Sequence, residues 1–137
     1  MVKLNNVEDL EKIINVNCND SNKFLHFGYI TKSKVLDRMV KKNSRFYGIY
    51  DNGILVSFVN FRIDKLEKGT IDIDYICSSK KGFGSKLINE LKKKYSKIYL
   101  LSLKKLVDYY KSHGFNKYVY DDNMNDDNIL DMVWEKK

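Results

Sequence analysis

With 137 residues, 43% of them hydrophobic, the chain has the size and apolar content of one domain around one core. Its formal charge of +7 comes mostly from lysines scattered along the chain, which gives a generally basic surface that attracts anions rather than a dedicated binding tract. No apolar run approaches the roughly 20 residues that cross a bilayer, and the opening MVKLNNVEDLEK lacks the apolar stretch of a secretory signal, so a cytoplasmic protein without a membrane partner is expected.

The elements follow in chain order. Val7 to Val16 place Val7, Leu10, Ile13 and Ile14 on one helical stripe, with acidic residues in the first turn, where the helix dipole favours them. Between this helix and the next, Cys18 is one of two cysteines; with Cys77 it shows no metal-ligand spacing, and two buried thiols and no metal are expected. Thr31 to Lys42 form a second amphipathic pattern with Thr31 as N-cap. RFYGIYDNGILVSFVNFRI then gives two β-branched and aromatic runs around Asp51, Asn52 and Gly53, a hairpin signal, and GTIDIDYIC gives a third strand. The remainder reads as a helix (Ser85 to Tyr95), a strand (Ile98 to Leu101), a helix (Lys104 to His113) and two strands around YVY and ILDMVW, with a short first strand at Val2 to Leu4. Strands connected by helices on this pattern imply a mixed sheet covered on its faces.

SSKKGFGSKL, Ser78 to Leu87, joins the end of the third strand to the start of a helix. Such a junction offers unpaired backbone N–H groups at the positive end of the helix dipole, and glycines let a phosphate approach them. The stretch lacks the G-x-x-x-x-G-K-[ST] of a P-loop, and Leu87 stands where a dinucleotide fingerprint needs its third glycine.

KKGFGSKLINELKK resembles the acetyl-CoA-binding motif R/Q-x-x-G-x-G/A of the GNAT (GCN5-related N-acetyltransferase) superfamily. LVDYYKSHGF is similar to the second hallmark of that family, F-Y-x-x-x-G-F, with Tyr109, Tyr110, Gly114 and Phe115 in register. The resemblance runs from about Arg45 to the end and implies one GNAT domain over residues 1–137: an α/β fold of the mixed α+β kind, its central, mostly antiparallel sheet flanked by about four helices. It implies an enzyme that transfers acetyl directly from acetyl-CoA to a primary amine, on a small molecule or on a protein or peptide. Two alternatives stand beside it, a catalytically degenerate GNAT-fold protein that binds nucleic acid or a protein through its basic surface, and a tRNA-directed acetyltransferase. A homodimer is left open.

The resemblance also names site residues. Backbone groups of Ile76, Cys77 and Ser78 would hold the pantetheine arm, and Lys81, Gly82, Phe83, Gly84 and Ser85 the pyrophosphate. Tyr110 would touch the cofactor and protonate the leaving thiolate, although its place on the apolar stripe explains it nearly as well by packing. Asp72 and Asp74, two apart on a strand and so on one face with alpha carbons about 6 to 7 Å apart, are candidates for taking the amine proton, directly or through water. The sequence departs from the family pattern at Ser79, where Arg or Gln is preferred, and in an approach to the first glycine about four residues shorter than usual. The acidic stretch Asp121 to Asn128 is expected either as an exposed turn or as one wall of the acceptor entrance.

Overall fold

A computed structural model describes residues 1–16, 18, 30–117 and 129–137. The chain order is β1 (Val2–Lys3), α1 (Val7–Asn15), α2 (Lys32–Met39), β2 (Ser44–Asp51), β3 (Ile54–Ile63), β4 (Thr70–Ser78), α3 (Phe83–Lys94), β5 (Lys97–Leu103), a 3-10 turn (Lys104–Leu106), α4 (Val107–Ser112), β6 (Asn116–Lys117) and β7 (Ile129–Glu135). The expected strand at YVY and the acidic stretch after it lie outside the described residues.

Local chemistry accounts for most boundaries. Asn6 caps α1 by accepting from the Asp9 N–H, while the Asp9 carboxylate accepts from the Asn6 N–H, a reciprocal capping box. Thr31 caps α2, which stops at Met39 rather than at Lys42. The β2–β3 hairpin turns on Asn52 and Gly53, both at positive φ (52° and 79°), which matches the twist of the paired strands.

The described strands form one sheet in the order β1-β2-β3-β4-β5-β7-β6, antiparallel throughout except between β4 and β5. Both faces are covered. Leu87, Ile88 and Leu91 of α3 pack with Ile71, Ile73, Ile76, Ile98 and Leu100 on one face; Ile13 of α1 and Val35 of α2 pack with Phe46, Phe58, Tyr75 and Cys77 on the other. This double burial explains why β3 is buried without a break from Leu55 to Phe61 instead of at alternate positions.

Two features of β4 depart from the sequence reading. Ile73 pairs with Phe61 and Tyr75 with Asn60, which leaves Asp74 as an extra residue in the strand. The bulge reverses the faces beyond it: Ile71 and Ile73 face α3, Tyr75 and Cys77 face α1 and α2, and Ile76 returns to the α3 side. The second correction concerns the cysteines. Cys18 and Cys77, expected as separate thiols, are joined as a disulfide with Cα atoms 5.3 Å apart, tying the chain beyond α1 to β4.

Candidate functional site

The site begins where the parallel pair comes apart. β4 and β5 pair from Thr70↔Lys97 to Ile73↔Leu100 and no further, although β4 continues to Ser78 and β5 to Leu103. Beyond the bulge, the edge of β4 that faces β5 therefore has no strand partner among the described residues, and its backbone donors and acceptors are open to a ligand. A cleft of about 290 Å³ occupies the gap, lined by Ile76, Cys77 and Ser78 of β4, Lys80, Lys81, Gly82 and Gly84 of the following loop and helix, and Leu106, Tyr109 and Tyr110.

The cleft ends on the N-terminus of α3. Gly82 is the N-cap at φ 91°, a conformation that favours glycine, and no side chain caps the helix. Its first N–H groups, without helical acceptors, point out at the positive end of the dipole. The helix starts at Phe83, two residues before the expected Ser85, so Gly84 lies inside the first turn. A Cβ there would stand 3.3 Å from the Tyr109 hydroxyl and 3.9 Å from Ser78 Cβ, so the missing side chain keeps the cleft floor open. The loop is fixed from below. The Ser79 N–H and hydroxyl both donate to the Val56 carbonyl, at 2.8 and 3.1 Å, while the Ser78 hydroxyl donates to the Lys80 carbonyl at 2.6 Å. Ser79 thus anchors the loop to β3 and lies outside the cleft lining. Lys80 pairs with Asp51 at the hairpin, and Lys86 lies over the Phe83 ring.

The structure brings together most of the residues named from the sequence. Ile76, Cys77, Ser78, Lys81, Gly82, Gly84 and Tyr110 share the cleft. Phe83 and Ser85 are not among its lining residues; Ser85 instead bonds to Tyr109 and His113. Tyr110 is 1% exposed, its ring packed edge-on against Tyr109 and Phe115. Leu106, Lys80 and Tyr109 enter the site without having been selected. For Tyr109 the signal was its adjacency to Tyr110 in a helix of which only Val107 and Tyr110 are buried.

The two aspartates belong elsewhere. Asp74, 2% exposed, accepts from Arg38 of α2 at 2.5 Å and from Arg62 Nε at 3.0 and 3.1 Å. Arg38 also lies over the Tyr75 ring, 5.3 Å from its centroid. Asp72 opens onto a separate groove with Arg62, Asp64 and Lys65, and burial, set partly against the Arg62 charge, raises its pKa. Neither carboxylate lines the cleft, and the bulge at Asp74 is the reason: it puts Ile76 on the α3 face, opposite the face that strict alternation gives to Asp72.

This architecture, a mostly antiparallel sheet opened at one parallel pair against a glycine-led helix, is the GNAT fold. The solved structures it is similar to include a chimaera of the spermidine N-acetyltransferase SpeG from Vibrio cholerae and hSSAT, with 19% identity, 98% of this chain and 93% of that chain covered, and a TM-score of 0.69. The PaiA N-acetyltransferase from Thermoplasma acidophilum in complex with coenzyme A shares 19% identity over 93% of each chain, with a TM-score of 0.64. Tetrahymena GCN5 shares 12% identity over 97% of this chain and 89% of that chain, with a TM-score of 0.67. No protein-family model and no curated protein matches the sequence.

Proposed function

We propose that the protein is an acetyl-CoA-dependent N-acetyltransferase acting on a primary amine. The observation that carries this reading is the continuity of the cleft: an unpaired strand edge at Ile76 to Ser78 leads directly to the uncapped N-terminus of α3. That is the order of groups a pantetheine arm and a pyrophosphate need. The arm takes the place of the missing strand, hydrogen bonding to β4, and the phosphates meet the N–H groups at Gly84 and Ser85. Lys81 on the rim adds positive charge. A solved neighbour that holds coenzyme A on this fold supports the choice of ligand.

The transfer needs no covalent enzyme intermediate. A neutral amine attacks the thioester carbonyl, the C–N bond forms, the C–S bond breaks, and the thiolate leaves with a proton from Tyr110, which lines the cleft. Backbone N–H groups on the open edge of β4 are placed to stabilise the charge developing on the carbonyl oxygen. The proton lost by the amine passes to water, since the oxygens of Asp74 are taken up by two arginines and Asp72 faces another groove.

Tyr110→Phe tests the assignment. It keeps the ring packing against Phe115 and removes only the hydroxyl. Turnover, followed as thiol release from acetyl-CoA across polyamines, amino sugars, peptides and aminoacyl-tRNA, is expected to fall roughly 100-fold. CoA affinity should change far less. An unchanged turnover would return Tyr110 to a packing role.

A further inference from the structure

Tyr109, Ser85 and His113 meet over the first turn of α3. The Ser85 hydroxyl lies 3.1 Å from the Tyr109 hydroxyl and 3.0 Å from His113 Nε2, and the Tyr109 and His113 rings pack edge to face with centroids 4.9 Å apart. Tyr109 is 38% exposed and lines the cleft, with its hydroxyl 3.3 Å from where a Cβ on Gly84 would stand. Meanwhile Ser79 is spent on the Val56 carbonyl. The Tyr109 hydroxyl of α4 is thus a side-chain donor beside Gly84 at the foot of the cleft.

We propose that the Tyr109 hydroxyl is a contact for the ligand pyrophosphate, and that His113, acting through Ser85, is the positioning residue that turns this hydroxyl into a donor. The proposal rests on the reading of the cleft as a CoA site. Its logic is a count of protons. With a bare Nε2 on His113, the Ser85 O–H donates to that nitrogen and the Tyr109 O–H donates to Ser85, so both hydroxyl protons stay inside the trio and Tyr109 presents lone pairs to the cleft. With a proton on Nε2, His113 donates to Ser85, Ser85 donates to Tyr109, and the Tyr109 O–H is released toward the anion above Gly84. One proton on His113 thus becomes one donor at the Tyr109 hydroxyl, 3.3 Å from where a Gly84 Cβ would stand, and an anion there stabilises the protonated arrangement.

The groups that face His113 favour this switch. Burial and then the charge of Lys92, whose ammonium donates to the His113 carbonyl, hold its pKa below the ordinary value. In the proposed free state the uncharged ring carries its one proton on Nδ1 and leaves Nε2 bare, and an anion above Gly84 favours a second proton on Nε2. Affinity for the pyrophosphate must then rise as pH falls toward the free-state pKa and level off below it.

Dephospho-CoA is the probe, because it lacks the 3′-phosphate monoester, which itself titrates near about pH 6. Its binding is measured calorimetrically over about pH 5 to 8. Wild-type affinity is expected to rise on acidification, approaching tenfold per pH unit at its steepest. His113→Asn should flatten the profile. Tyr109→Phe, which keeps the ring contacts, should bind roughly tenfold more weakly at the acid end and also lose the pH dependence, and Ser85→Ala should behave like His113→Asn. A wild-type profile without pH dependence, a His113→Asn profile equal to it, or full affinity in Tyr109→Phe would overturn the inference while leaving the CoA site in place. No binding by the wild-type protein at any pH would overturn the CoA reading and this inference with it.

Discussion

Gly84→Ala separates the demands of the fold from those of the ligand. Gly84 is helical and does not need a positive φ, so alanine introduces no backbone strain. The new methyl meets the Tyr109 hydroxyl at 3.3 Å, the end of a side chain that can move by a few tenths of an ångström, and Ser78 Cβ at an ordinary 3.9 Å. Replacing glycine in a helix gains up to about 1 kcal/mol, less in a first turn, so the free variant should be as stable as the parent or slightly more so. The ligand meets the opposite sign. The methyl projects over the N–H groups that would hold the pyrophosphate, and a loss of about 2 kcal/mol corresponds to roughly 30-fold weaker binding. At a CoA concentration of about 100 times the parent Kd, ligand stabilisation is then about 2.7 kcal/mol for the parent and about 0.9 kcal/mol for the variant. Thermal melts with and without CoA read both numbers. A CoA-induced shift as large as the parent's would refute the placement of the phosphates over Gly84, and a variant that unfolds without ligand would refute the account of the cleft floor.

Asp74→Asn should cost about 3 kcal/mol in urea unfolding, because it leaves Arg38 buried beside an uncharged partner, yet turnover per folded molecule should persist. A stable variant that has lost all turnover would reinstate Asp74 as a base. Reduction of Cys18–Cys77 releases a cross-link spanning 59 residues of sequence and should lower stability by about 4 kcal/mol on the chain-entropy relation. Equal urea midpoints with and without a dithiol reductant would show that the bond contributes nothing.

Much of the fold was legible because its determinants are local. Asn52-Gly53 sets its own turn, Thr31 caps the helix that follows it, and a glycine-led helix start follows directly on the third of the predicted strands. Along the same junction the cleft collects most of the residues named from the sequence, while Asp72 and Asp74 lie away from it. Asp72 and Asp74 were placed by alternation, which holds only while the strand is regular; the bulge opposite Asn60 and Phe61 depends on β3 and cannot be seen in β4 alone. The helix over Lys104 to His113 likewise divides into a 3-10 turn and a shorter α4.

By itself, then, the sequence determined the hairpin, the capped helices and the glycine loop, since each depends on residues a few positions apart. The tertiary structure decided which strand edges stay open, which charges neutralise one another and which cysteines meet. Arg38, Arg62 and Asp74 converge from three elements, and Ser85, Tyr109 and His113 from two. Those contacts form only when the sheet brings distant segments together, and no local period in the chain encodes them.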